Sequence, residues 1–465
     1  MRRRGSGWLA HAGPDAAGGD CLYGKDVTPP APGHDFALRI AGPSQLAGEL
    51  CISGSKNAAL PEMAAALLTS EPLHLSNVPR VIDTEVMAQI LSGLGGRSEG
   101  EGSMVLRMAN VRGADVPDEL GRRMRATIVL LGALLGRFGQ ARLPRPGGDD
   151  IGARRVEQHL RGLRQMGARI EETATEIVAE VDRLRGERIV FDLPTVTGTE
   201  NILLAAVLAE GRTEIFNAAR EPHVQDLCVL LGKMGARIEG IGTERLVVDG
   251  VRELGGAEHT VIADYLEAGT YAIAVAAAGG ELRIECSRPE DLNVLLLKLE
   301  LAGAHVESGD GWFQVGRRPR TRIKPIDMST WTFPGFPTDL QAQYMALMTQ
   351  ADGETVISEY VHENRFQHVT QLAKMGAGIT VEGRLHAVVH GPCRLRGTEV
   401  TIPDIRSGAA LVIAALCAEG ESLLRNSWHV ERGYEDMAGK LASVGARIEK
   451  VQVDTERSAP GHTYE

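Results

Sequence analysis

The chain has 465 residues, 43% of them hydrophobic but only 4% aromatic, with 55 glycines and a formal charge of −11; that length suffices for two or three domains with sizeable cores. Net acidity excludes a general nucleic-acid binder, which shows a concentrated basic face, so an anionic ligand must be met by a local cluster of cations. No apolar run approaches the roughly 18 to 20 residues of a membrane span, and six cysteines without a CxxC pair read as free thiols in a reducing cytoplasm.

Residues 1–35 begin MRRR, lack the apolar core of a secretory signal, and read as a disordered tail. From Phe36 the pattern changes to strands followed by a small-residue helix. Within it, Ser53 to Leu60 (SGSKNAAL) puts Lys56 and Asn57 at a strand-to-helix turn. Free helix amides beside a cation suit a phosphate or carboxylate, although a plain surface lysine fits the composition equally well. The GxxxxGK[ST] spacing is absent, which excludes a P-loop.

Arg122, Arg123 and Arg125 are predicted to open the apolar helix of RRMRATIVLLGALLGRFG. Cations there oppose the helix dipole, so they need a counter-anion or a wet face. The next stretch, Gln140 to Arg154 (QARLPRPGGDDIGAR), reads as a mobile loop: prolines keep it out of helix, Gly147 and Gly148 permit a tight turn, and it carries Asp149, Asp150 and Arg154. A solvated acidic turn is the alternative. Arg220, Arg365, Arg406 and Arg432 stand in similar small-residue contexts. Asp339, after Pro337-Thr338, is either an ordinary first-turn aspartate or a catalytic one, and Asp404 precedes another apolar helix. His362 to His368 lacks the HExxH spacing of a zinc site, and Gly93 to Gly96 ends a helix rather than opening one, which excludes a dinucleotide fingerprint.

An internal repeat organises these features. Helix ends followed by a strand recur at Gly95, Gly167, Gly235, Gly303, Gly376 and Gly445, each glycine fitting a left-handed helix cap. The period of roughly 70 residues exceeds that of solenoid repeats, so each copy reads as a small βαβ-containing subdomain. A second echo, an apolar helix with a turn and a short strand, runs from ALLTSEPLHLSNV to LCAEGESLLRNSW, also six times. Six copies suggest two pseudo-threefold domains with a cleft between them; a doubly wound sheet also fits.

The ordered motifs SGSKNAALP, RMRATI, PGGDDIGARRVEQH, LAEGRTEIFNAAREP, AGTY, GFPTDLQAQ, ENRFQHV, PDIRSGAALV and ERGYE resemble the enolpyruvyl transferase family from about Phe36 to Glu449, most closely its branch acting on UDP-N-acetylglucosamine. The resemblance implies an α/β fold, a two-domain inside-out α/β barrel of six similar subdomains. One domain would span residues 56–262; the other would combine 36–55 with 263–450, leaving 451–465 as a flexible tail. It also implies transfer of enolpyruvyl from phosphoenolpyruvate to the sugar 3-hydroxyl through a phosphate-bearing tetrahedral intermediate, the first committed step of peptidoglycan synthesis, with no metal, cofactor, nucleic acid or membrane.

By the same resemblance Lys56, Asp149 and Asp339 are catalytic, Asp339 as base and Asp149 as the loop acid where many members carry a cysteine. Asn57, Arg125, Arg154, Thr195, Val196, Asp339, Val361, Arg365, Asp404, Arg406 and Arg432 hold substrate. Departures from the family pattern are Arg155 and Gln158 after the loop, Tyr265 in place of a common arginine, His362 in place of an aromatic, and Ile405 in place of leucine. They leave open a paralogue using another nucleotide or sugar in specialised metabolism, and, in a different class, a non-catalytic sugar-nucleotide binding protein.

Overall fold

The computed structural model describes residues 36–153, 156–318 and 321–453; the expected N-terminal tail therefore lies outside the described residues. Among the described residues six helices form the interior: α1 (Lys56–Ala65), α2 (Leu130–Phe138), α3 (Val196–Ala206), α4 (Tyr265–Ala278), α5 (Gln341–Met348) and α6 (Ile405–Cys417). They are rich in alanine and apolar all round rather than striped. In α4 every residue from Tyr265 to Ala277 is buried, and in α6 every residue from Ile405 to Leu416. A helix without a polar face belongs inside.

Small sheets wrap these helices. Among the described residues there are five four-stranded sheets and one three-stranded sheet. In each four-stranded sheet one strand pairs in parallel and the others antiparallel, as when Leu46–Cys51 runs beside Gly280–Glu285, which pairs antiparallel with Trp312–Arg317. In the three-stranded sheet the isolated parallel bridge from Asp115 to Arg142 stands where the others have their parallel strand.

The six glycines predicted as caps all adopt φ between +96° and +107°. In each case the following residue's N–H returns to a leucine carbonyl five residues back, at Leu91, Leu163, Leu231, Leu299, Leu372 and Leu441, over 2.9–3.1 Å. This bond satisfies an orphan helix carbonyl and turns the chain into the next strand.

The buried apolar residues fall into two cores, one drawn from Ala58 to Val261 and the other from Leu38 to Ile52 together with Tyr265 to Ile448. The chain crosses between them twice, side by side: Ser55 N donates to Ile262 O (2.7 Å) and Asp264 N to Ser53 O (2.9 Å). Val451 and Gln452, expected to begin a tail, instead pair with Ala37 and Phe36 in the last strand.

Two expectations are corrected. Cys51 and Cys286 form a disulfide, whereas Cys228, Cys393 and Cys417 are free. Cys51 ends one parallel strand and Cys286 follows its neighbour, an adjacency that 235 residues of separation conceal in the sequence. Nor do the three arginines open one long helix: Asp118–Gly121 is a short helix, Arg125–Val129 a 3-10 turn, and the α-helix begins only at Leu130. Arg122 turns away to the carbonyl of Thr175. Among the described residues no helix is long and apolar enough to cross a membrane.

Candidate active site

A cleft of about 390 Å³ lies between the two cores. The starts of all six inner helices, or of the turns leading into them, reach it: Lys56 and Asn57, Arg125 and Ala126, Thr195 to Thr197, Tyr265 and Leu266, Thr338 and Asp339, and Ile405 and Arg406. Helix N-termini present unsatisfied amides and the positive end of the dipole, so their convergence favours an anion. Local sequence fixes where these helices begin. The Ser55 and Thr195 hydroxyls accept from Ala58 N and Gly198 N, while Asp264 and Asp404 each accept two first-turn amides.

Two buried cation sets face the cleft, each held by carboxylates. In the first, Lys56 Nζ lies 3.2 Å from Asp83 Oδ2, and Arg432 bridges Asp83 Oδ1 (3.0 Å) to Asp149 Oδ1 (2.6 Å). In the second, Asp339 sits between Arg365 (2.6 Å) and Arg406 (3.1 Å). Burial alone would raise the Asp339 pKa, but Arg365 and Arg406 outweigh it and hold the carboxyl well below the usual range. Arg406 leans over the Tyr434 ring, and its buried Nη1 has no hydrogen-bond partner among the described residues.

The loop carrying Asp149 is docked onto the other core. Ala153 N donates to Glu363 Oε1 (2.8 Å), Asn364 N to Ile151 O (3.3 Å), and the side chains of Asn364 and Gln367 to Asp150 O (3.2 and 2.5 Å). Gly147 is required by close approach, since a Cβ there would stand 1.9 Å from the Arg122 carbonyl oxygen. Gln140–Pro144, read as part of the loop, is an edge strand of the three-stranded sheet, where a terminal proline is tolerated.

Of the residues singled out from sequence, Lys56, Asn57, Arg125, Asp149, Thr195, Val196, Asp339, Val361, Arg365, Arg406 and Arg432 line this one cleft. Asp404 does not; it is 5% exposed and caps α6. Burial, and then the charge of Asp149, raise its pKa. Arg154 and Arg155 lie outside the described residues. Tyr265 and His362 border the cleft, whereas Gln158 binds the 192–193 backbone through Asp192 N and Leu193 O.

Several site residues carry no sequence signal. Asp83 joins Lys56 to Arg432 from inside a helix. Glu359, fully buried, accepts from the Thr330 and Thr338 hydroxyls and from the Val361 and His362 amides. Thr338 in turn accepts from Arg365 Nη1 (2.8 Å), so Glu359 orders the segment that carries the second cation set.

A third group forms no ion pair among the described residues, although the Arg220 charge acts on Glu221. Glu200, Glu221 and His223 also line the cleft and are 2%, 9% and 3% exposed. Burial pushes the Glu200 pKa up to about 8, with the Glu221 charge adding to it; burial also raises Glu221 and pushes His223 down to about 4. Glu200 and His223 are therefore uncharged near neutrality. The buried Glu62, Asp226 and His259 bring ligand-type atoms within 4.8 Å of one another, a grouping that no spacing in the sequence signals. Lys233 Nζ stands 3.0 Å from His259 Nδ1. Asp226 is already engaged by His259 (3.1 Å) and by Ile262 N (3.0 Å).

A family model described as EPSP synthase (3-phosphoshikimate 1-carboxyvinyltransferase) matches residues 40–441. The chain belongs to this enolpyruvyl transferase family. Among solved structures it is similar to the enolpyruvyl transferase NikO from Streptomyces tendae, at 27% identity and a TM-score of 0.80 over 90% of this chain and 100% of that one. Two structures of EPSP synthase from Acinetobacter baumannii match at 18% identity and a TM-score of 0.67, one over 90% of this chain and 100% of that chain, the other over 89% and 99%. At that identity they show the fold alone. The enolpyruvyl transferase fold is thus shared across the matched length, as the six repeats and nine motifs imply.

Proposed function

We propose that this enolpyruvyl transferase moves the enolpyruvyl group of phosphoenolpyruvate to the 3-hydroxyl of UDP-N-acetylglucosamine and releases phosphate, in the cytoplasm, opening peptidoglycan synthesis. The observation that carries the reading is the pair of buried cation sets at converging helix N-termini, with Asp339 between Arg365 and Arg406. Phosphoenolpyruvate carries a phosphate and a carboxylate, and two cation sets suit two anionic groups.

In this reading the acceptor oxygen bonds to C2 of phosphoenolpyruvate while a proton goes to C3, giving a tetrahedral intermediate. The C2–O bond to phosphate then breaks and a C3 proton leaves, restoring the double bond. Asp339 takes the hydroxyl proton. Its pairing with two arginines makes it a weak base in the unliganded cleft, and a substrate anion drawing Arg365 and Arg406 away strengthens it. Asp149 serves as the acid on the docked loop, once Arg432 turns from it to a substrate phosphate. Lys56, Arg125 and Arg432 hold the anions, Asn57 orients the sugar, and Thr195, Val196 and Val361 border the acceptor. Arg154 is assigned a phosphate from the family motif alone.

A second reading keeps the chemistry and changes the acceptor to another nucleotide or sugar. Tyr265 and His362, which border the cleft at positions where the family commonly has arginine and an aromatic, favour it. A panel of UDP-sugars and nucleotides incubated with phosphoenolpyruvate separates the readings by phosphate release. Release with UDP-N-acetylglucosamine supports the first, and release only with another acceptor supports the second. No release with any acceptor leaves a sugar-nucleotide binding protein.

A further inference from the structure

Glu200, Glu221 and His223 come from α3 and from the start of the following helix, Pro222–Lys233. The structure leaves their polar atoms unused: Glu200 Oε1, Glu221 Oε2 and both ring nitrogens of His223 are buried without a hydrogen-bond partner among the described residues. Buried polar atoms are almost always partnered, and here three neighbouring side chains break that rule on the wall of one cleft. The other Glu221 oxygen accepts from Phe333 N (3.4 Å) and the Arg220 guanidinium donates to Phe333 O (3.1 Å), so the wall is tied to the opposite core. His223 stacks on Tyr265 with ring centroids 6.4 Å apart. Asp339 influences the charge of both His223 and Tyr265 while pairing with Arg365 and Arg406, and so borders the wall and a cation set at once.

We propose that Glu200, Glu221 and His223 form the acceptor-reading wall of the cleft, and that it binds an uncharged group presenting a hydrogen-bond donor and acceptor side by side, the chemistry of an amide or imide edge. This rests on the transferase reading for the word acceptor, but the binding itself does not. A carboxylic acid and a neutral imidazole each both donate and accept, which complements such an edge. The same wall disfavours phosphate, because an anion there would meet two buried carboxyl groups that form no ion pair among the described residues, with Arg220 the one cation whose charge is seen at Glu221. Phosphate is thereby directed to the arginines and the uncharged part of the acceptor to the wall, with Asp339 between them. The amide can come from an N-acetyl group on the sugar or from the imide of a uracil base.

The test is isothermal titration of UDP-N-acetylglucosamine, UDP-glucose, UMP and CMP into the parent protein, Glu200→Gln and Glu200→Leu, alongside phosphate release and thermal melting. Glutamine keeps the uncharged donor and acceptor, and leucine removes them. The expected result is a parent that binds at least one probe, about 10- to 100-fold weaker binding of that probe by Glu200→Leu, and binding within about threefold by Glu200→Gln. Melting should be raised in Glu200→Leu, since an orphaned buried group is gone. UDP-N-acetylglucosamine preferred over UDP-glucose assigns the sugar amide; equal binding of those two with UMP preferred over CMP assigns the base. Equal binding by parent and Glu200→Leu overturns the proposal, as does a parent that binds none of the four. Phosphate release unchanged in Glu200→Leu with binding also unchanged sinks the wall and keeps the transferase. Binding that depends on Glu200 without phosphate release from any acceptor keeps the wall and sinks the transferase.

Discussion

Arg432 Nη1 lies 2.6 Å from Asp149 Oδ1, and this ion pair joins the glycine-containing loop of one core to a helix end of the other. The same guanidinium holds Asp83, which holds Lys56, so loop position and cation position are linked through one buried chain. Removing Arg432 takes a buried guanidinium from both Asp83 and Asp149, leaving Lys56 paired with Asp83. Arg432→Ala is expected to lower kcat/KM for phosphoenolpyruvate on the order of 100-fold or more, the scale of a lost buried ion pair. Hydrogen exchange at Gly148 to Ile151 should quicken in the same variant. Unchanged exchange with unchanged kinetics would show that the pair does not hold the loop.

Asp339 is kept ionised by Arg365 and Arg406. Its carboxylate form therefore persists as pH falls below the usual aspartate range, and the stability it contributes is present above about pH 3.8 and lost only as pH drops through its depressed value. Any acid limb in kcat/KM above about pH 5 must come from another group. Asp339→Asn should cost on the order of 100- to 10,000-fold in kcat, the usual range for a positioned base. Full activity in that variant would overturn the base assignment.

Glu200 carries a stability signature of its own. Burial raises its folded pKa to about 8 from the ordinary 4.5, so the folded state binds more protons across that window and this group's contribution to stability falls as pH rises through it. Glutamine does not titrate. The melting advantage of Glu200→Gln over the parent should therefore grow from about pH 4.5 to about pH 8 and level off above. Glu221, whose charge adds to the shift, and Cys228, which Glu200 raises in turn, are present in both proteins, so the comparison reads Glu200 together with its coupling to them. A pH-independent difference would place Glu200 in contact with water or with a cation.

The motif resemblance sets Asp149 at the loop position where many enolpyruvyl transferases carry a cysteine. A carboxylate paired with Arg432 is a poor nucleophile toward an epoxide, so fosfomycin, which alkylates that cysteine, should not inactivate this protein. Asp149→Cys should become sensitive in a time-dependent way, read by intact mass. An adduct on Asp149 in the parent would contradict the assignment.

The parts of this molecule legible in sequence are those set by backbone geometry near one residue. The six cap glycines could be read because a left-handed helix end demands glycine whatever lies around it, and each of the six ends on the same leucine-carbonyl bond. Motif resemblance gathered Lys56, Asp149, Asp339, Arg406 and Arg432 into one site, and all line the cleft. What stayed hidden depends on packing at long range. Asp83 and Glu359 look like ordinary helix and strand-end acids until the fold brings Arg432 and Thr338 to them. The motifs count Asp404 among the substrate contacts, while its capping of its own helix through two amides shows only in the fold. The Cys51–Cys286 bond depends on which strands become neighbours, which no local pattern encodes.

In the proposed function the two cation sets and Asp339 carry out enolpyruvyl transfer to a nucleotide-linked hydroxyl. Phosphate release from phosphoenolpyruvate, measured with UDP-N-acetylglucosamine and a panel of other UDP-sugars and nucleotides, tests it most directly. Acceptor-dependent release that is abolished in Asp339→Asn is the predicted result, and the acceptor that supports it names the substrate. A folded protein that releases no phosphate with any acceptor, or releases it equally well without Asp339, would contradict the account.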